Sequence, residues 1–171
     1  MGILWQEIWD AIGRNFSDLH GLANGFQVAF RLVLAAGLGG LLGYERTLRR
    51  RPAGLRTHML VSLGAAAYVL VPEQADMKVG DLSRVIQGLT TGIGFLGAGA
   101  ILKDDDTHQT RGLTTAAGIW LTAAVGMAVG MGRLATGVLI TLLALVILSP
   151  FRWIEERIMA DEPAGRTRPD G

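Results

Sequence analysis

The stretch from Gln87 to Leu102 constrains this chain more than any other. It runs through sixteen residues without a charge, and Gly88, Gly92, Gly94, Gly97 and Gly99 fall within it. Arg111-Gly112-Leu113-Thr114-Thr115-Ala116-Ala117-Gly118 repeats the habit a few residues on. In a water-soluble helix each interior glycine costs about 1 kcal/mol relative to alanine. Inside a bilayer the backbone has no water to pair with, so a helix persists despite glycine. Small residues there let neighbouring backbones approach closely. The pattern predicts the packed interior of a membrane protein.

Composition agrees. Half of the 171 residues are hydrophobic, and charged residues make up 18%, below the roughly 25% of a soluble domain. The absence of cysteine excludes disulfides, thiolate catalysis and zinc–thiolate sites. The N-terminus lacks the basic lead of a secretory signal, and Glu7 and Asp10 interrupt its apolar stretch. Trp5, Ile8, Trp9, Ile12, Phe16 and Leu19 share one helical face. Residues 1–26 are therefore predicted to form an amphipathic segment, lying in the membrane interface or packed on the protein's own body.

A bilayer core of about 30 Å needs about 20 apolar residues per helix. Five segments qualify, near 27–44, 57–71, 85–102, 113–131 and 134–151. The expected fold is all-α, a bundle of five transmembrane helices over residues 27–151. The second span should stop at Pro72, and spans four and five should form a tight hairpin about Gly132-Arg133. Residues 152–171 are expected to be a short, disordered tail. Of the sixteen lysines and arginines, eleven fall after spans one, three and five, and five fall on the opposite side. That asymmetry places the N-terminus outside and the C-terminus in the cytoplasm.

Small residues four apart mark the helix contacts: Ala36 and Gly40, Gly39 and Gly43, Gly88 and Gly92, Gly94 and Ala98, and the run Gly118, Thr122, Gly126, Gly130. The third span is expected to be central, touching spans one and four, with Gly92 and Gly97 intolerant of bulk. The fifth, with only Gly137 and Thr141 amid aliphatic residues, is expected to be the most lipid-exposed.

Candidate chemistry gathers at the cytoplasmic boundary. Glu45 and Arg46 close span one, and Arg56, Thr57 and His58 open span two. Charges near hydrocarbon are costly unless paired, so Glu45 is expected to pair with Arg46 or Arg56, with His58 nearby. The cluster reads as a site for an anion, a lipid headgroup or a partner's carboxylate, or simply as a topology signal. On the other side Asp76 and Asp81, with Glu73, are weak candidates for holding a divalent cation. The run Asp104-Asp105-Asp106 with His108 reads as a solvated turn. No nucleophile–base arrangement or phosphate loop emerges, and nothing points to a cofactor or to nucleic acid.

Four blocks in order resemble one family. Gly43-Tyr44-Glu45-Arg46, Pro52-Ala53-Gly54-Leu55-Arg56-Thr57-His58, Gly92-Ile93-Gly94-Phe95-Leu96-Gly97-Ala98-Gly99, and Arg111-Gly112-Leu113-Thr114-Thr115-Ala116-Ala117 with Trp120 look like the MgtC/SapB family of bacterial inner-membrane proteins. The resemblance covers roughly residues 27–150. It implies a small five-span protein without established enzyme activity. It also implies links to magnesium homeostasis, to survival inside macrophages and, for one member, to restraint of the rotary ATP synthase. Two features depart from the virulence-type members: their ACT-like soluble C-terminal domain is not found here, and Thr114 stands where they tend to carry asparagine. Two functions follow as expectations. One is a non-enzymatic regulator acting by helix contacts on other membrane proteins or on a second copy of itself. The other is a magnesium transporter or channel, which needs polar groups along a route through the membrane.

Overall fold

The computed structural model describes residues 2–15, 22–103 and 110–148. The described chain is six helices and one very short hairpin. In order these are α1 (Gly2–Asn15), α2 (Leu22–Leu48), α3 (Leu55–Gln74), α4 (Val79–Gly99), β1 (Leu102–Lys103), β2 (Thr110–Arg111), α5 (Leu113–Gly130) and α6 (Leu134–Leu148). The strands pair antiparallel, Leu102 with Arg111 and Lys103 with Thr110, in what the sequence gives as plain loop. Among the described residues three helices are long and apolar enough to cross a membrane: Ala23–Leu48, Leu55–Gln74 and Leu113–Gly130. The fold is that of an all-α membrane protein. Two predicted spans fall outside that set: α4, at 21 residues, and α6, whose described part is an apolar helix of 15 residues. The predicted turn at Asp104–His108 and the predicted disordered tail both lie outside the described residues.

The first helix of the bundle begins at Leu22, so part of the expected N-terminal segment belongs to α2. On α1, Trp5, Ile8 and Trp9 are exposed. The second helix does not stop at Pro72; it continues through it to Gln74. A proline this close to a helix end removes one backbone donor, whereas mid-helix it would break the run. Beyond it the backbone donors of Ala75 and Met77 reach Val71 and Pro72 carbonyls at 3.1 Å each, which closes the turn.

The core is a three-helix stack in which α2, α3 and α5 each touch the other two. His58, Ser62 and Ala66 lie four apart on α3 and are buried. Onto this stripe α2 presents Gly39 and Gly43, and α5 presents Gly118, Gly126 and Gly130. A methyl group at Gly39 would lie 2.6 Å from Ser62 Cβ, and one at Gly130 would lie 2.7 Å from the Ala66 carbonyl oxygen. Only glycine permits these approaches. Leu38, Leu42, Val125 and Val129 fill the remaining space, with Ala144 of α6 completing one cluster. Ala65, Ile93, Ile119 and Ala123 form a second, which ties α4 to the stack.

The expectation of a central third span is therefore wrong. Helix α4 packs on α5 and α3 from outside, and only Ile93 and Gly97 of its 21 residues are buried. Helix α5 instead touches α2, α3, α4 and α6. The expectation that the fifth span is the most exposed fails with it, since α6 buries Gly137, Thr141 and Ala144. The reason is one of faces. Ile86, Thr90, Ile93 and Gly97 lie on one side of α4 and are buried or half-buried, while Gly88, Gly92, Phe95 and Gly99 share the opposite side and are exposed.

The hairpin between α5 and α6 forms as expected. Gly132 takes a left-handed backbone with φ of 72°, and the Gly132 and Arg133 donors reach back to the Val129 and Ala128 carbonyls at 2.9 and 2.8 Å.

Candidate functional site

Arg46 follows Gly39 by seven residues and Gly43 by three, so the face of α2 that packs inward carries it inward too. It is only 4% exposed. Its Nη2 donates to Thr115 Oγ1 of α5 at 2.6 Å, a buried bond across 69 residues of sequence. Its Nε is buried without an acceptor. Glu45, one residue earlier, is paired with Arg49, four residues on and just past the end of α2; its Oε2 is buried without a donor.

These groups line a cleft of about 730 Å³ where the ends of α2 and α6, the start of α5 and strand β2 converge. Arg51, Arg111 and Thr114 complete its polar wall. Gly112 precedes α5 in the left-handed region at φ of 95°, with no capping side chain. A methyl group there would run into the Ala100 carbonyl oxygen, so the position admits glycine alone. The first turn of α5 thus meets the cleft with backbone donors that have no partner within the helix.

The predicted polar cluster is divided among three places. Glu45 and Arg46 line the cleft. Arg56 and Thr57 line a separate, mainly apolar groove of about 400 Å³ between α3 and α4, with Tyr68, Leu89 and Leu96. His58 is 1% exposed; it lies inside the three-helix stack, its Nδ1 donating to the Gly54 carbonyl at 3.1 Å. The expected Glu45–Arg56 pair gives way to Glu45–Arg49 because residues four apart on one helix are neighbours before any tertiary contact forms. Sequence reasoning also missed Thr47. Its hydroxyl accepts from the Leu55 backbone N–H at 2.9 Å and donates to the Gly43 carbonyl at the same distance, fastening α3 to α2.

The family-motif residues divide likewise. Gly97 meets Ala116 at ordinary contact distance, while Gly88, Gly92, Gly94 and Gly99 have nothing within 4 Å of where a Cβ would sit. Phe95 is 83% exposed, and Trp120 is exposed on α5. At the opposite end of the bundle, Arg31 Nη1 donates to Glu73 Oε2 at 2.9 Å and to the Gly130 carbonyl at 3.1 Å, linking α2, α3 and α5. This removes Glu73 from the proposed acidic loop. Asp81 lies 3.9 Å from Arg84, and Asp76 is exposed. Among the described residues no group of three acidic or histidine side chains is placed to hold a metal ion.

Comparison with known proteins now bears on the identity of this arrangement. The MgtC family matches residues 32–157. The chain belongs to the MgtC family. Protein SrpB of Synechococcus elongatus is 42% identical over 139 residues, spanning 75% of this chain and 76% of that protein. The putative magnesium transporter YhiD of Escherichia coli K12 is 42% identical over 136 residues, 75% of this chain and 62% of YhiD. Protein MgtC of Brucella abortus is 44% identical over 112 residues, 64% of this chain and 45% of that protein. The match thus spans less than two thirds of YhiD and under half of Brucella MgtC. No solved structure matches. The family's matched region takes in α3, α4, α5, α6 and most of α2, so the stack, the cleft and the outer face of α4 all belong to it.

Proposed function

We propose that this MgtC-family membrane protein is a non-enzymatic regulator that binds another membrane protein through the outer face of α4, in a system tied to magnesium homeostasis. The observation that carries this reading is the face itself: Gly88, Gly92 and Gly99 stand open around an 83% exposed Phe95. A face that meets only lipid gains nothing from glycine, and the large exposed residues of α6 are Val138, Leu139, Leu142, Leu143, Val146 and Ile147. Glycine at helical spacing with one projecting aromatic suits the close approach of a second helix. The printed description of YhiD as a putative magnesium transporter supports the magnesium link. Transport by this chain is the weaker reading, because four threonine hydroxyls of the helices are already taken up by their own backbone. Thr90, Thr91, Thr122 and Thr141 each donate to a carbonyl four residues back on their own helix, at 2.8 to 2.9 Å. The excess of basic residues at the cleft end supports an inner-membrane orientation with the cleft facing the cytoplasm.

A photoreactive residue at Gly92 tests the contact, with Leu139 on α6 as control. In native membranes position 92 is expected to yield a discrete adduct with a different protein, and position 139 none. An adduct only with a second copy, or none at 92, would overturn the reading. In the same cells, a cysteine at Gln74 should label from outside and one at Arg51 should not; the reverse would invert the orientation.

A further inference from the structure

We infer that the apolar groove between α3 and α4 holds one anionic phospholipid, with an acyl chain along the groove and the headgroup phosphate at Arg56. The groove lies on a different strip of α4 from Gly92 and Phe95, so this site stands apart from the contact proposed there.

The shape of the groove suits a single slender chain. It encloses about 400 Å³ and follows α3 from Arg56 to Tyr68, which is about 18 Å of helix. Half of a bilayer core measures about 15 Å, so an acyl chain of one leaflet matches that length. A helix about 10 Å across would fill about 1,400 Å³ over the same distance, far more than the groove offers. Leu60, Val61 and Ala65 line it from α3, and Leu89, Ile93 and Leu96 from α4. Gly64 belongs to the same lining, and a Cβ built on it would meet nothing within 4 Å. Where Gly126 receives the backbone of α3, Gly64 receives nothing from this chain, and its missing side chain widens the groove at mid-length.

Charge sets the direction and the class of lipid. The polar residues Arg56 and Thr57 stand at one end, in the first turn of α3, and the lining from Leu60 to Ala65 is free of charge. Arg56 is exposed, and none of the ion pairs among the described residues takes it up. An exposed guanidinium at the membrane boundary attracts an anionic headgroup, and its planar fork matches the oxygens of a phosphate. The start of α3 adds to that attraction, because Gly54 offers no capping side chain and a helix N-terminus favours negative charge. A zwitterionic lipid would bring its own cation towards Arg56 and gain less. An apolar trough with a cation at one end is thus complementary to an anionic amphiphile, in the leaflet at the cleft end of the bundle.

The test places the full purified chain in nanodiscs of equal parts phosphatidylglycerol and phosphatidylethanolamine, and counts retained lipid by native mass spectrometry. One phosphatidylglycerol should be retained, with about fivefold preference over phosphatidylethanolamine, the scale of one basic side chain at a membrane surface. Arg56→Gln should fold normally and lose that preference. Gly64→Leu should fill the groove and lose retention of both lipids, with an unchanged thermal midpoint. Arg56→Gln decides alone if Gly64→Leu does not fold. In native membranes a photoreactive residue at Leu60 should form an adduct with phospholipid. Equal retention of the two lipids, or no retention, by the unaltered chain would overturn the inference. So would a preference that survives Arg56→Gln, undiminished retention by folded Gly64→Leu, or a protein adduct at position 60.

Discussion

Helices α4 and α5 lie side by side, and both carry small residues at four-residue spacing, yet their glycines meet opposite surroundings. On α5, Gly126 and Gly130 sit against the backbone of α3 at Ser62 and Ala66. On α4, Gly88, Gly92 and Gly99 face open space. Spacing alone tells that a helix is able to approach another closely. It does not tell which neighbour is approached, or whether that neighbour lies in the same chain. The packed glycines hold the bundle together, and the open ones are spare capacity for contact.

The largest expected effect separates these two sets. A methyl group at Gly126 would overlap the Ser62 carbonyl and crowd its Cα at 2.9 Å. Backbone atoms on two helices must then move apart, and overpacking of this kind costs about 3 kcal/mol. Gly126→Ala should lower the thermal midpoint in detergent strongly or abolish folded yield. Gly92→Ala should leave both unchanged. Equal loss at the two positions would mean that the outer face of α4 is packed after all.

Much of the fold was legible in the residues. Hydrophobic runs located every helix of the bundle, and the glycine pairs on α2 and the small ridge on α5 did mark contacts. What could not be read was which helix supplies the surface shared by the two ridges. The second span is expected to stop at Pro72, but its His58, Ser62 and Ala66 are the surface against which both glycine ridges pack. Two of those three are polar, and apolar periodicity gives such a face no weight. The candidate site was half legible. Glu45 and Arg46 stood out as charges at a membrane boundary, whereas Thr115 and Gly112 joined them only through tertiary packing. Arg56 is expected beside them because it opens the second span at the same boundary; the chain's turn after α2 carries it to a different groove.

A smaller effect is expected at Gly137, on the helix that the sequence leads one to expect as the most lipid-exposed. A methyl there would lie 2.7 Å from Val129 Cγ2 and 3.6 Å from Leu38 Cδ1. The first neighbour is the end of a side chain, not backbone, so it yields at less cost than Ser62. Gly137→Ala should destabilise by about 1 kcal/mol, and Gly137→Leu should fold poorly while Gly92→Leu folds well. Folded yields that rank the two leucine variants the other way would place α6, not α4, at the periphery.

The smallest effect sharpens the comparison at the seam between the two helices. Among the described residues Gly97 is the one glycine of α4 with a neighbour within 4 Å of its Cβ position: a Cβ there would lie 3.6 Å from Ala116 Cβ and 3.7 Å from its carbonyl oxygen. Those are ordinary van der Waals distances, so the added methyl fills space without moving α5. Gly97→Ala should shift stability by no more than about 0.5 kcal/mol, the range of a substitution without a disruptive mechanism. Thermal unfolding in detergent beside Gly126→Ala reads the contrast directly. If Gly97→Ala falls as far as Gly126→Ala, α4 is held as tightly as α3. The open glycines would then belong to a rigid part of the core rather than to a helix resting on its edge. A near-zero change keeps α4 as the outlying helix, with its glycine face turned away from the stack.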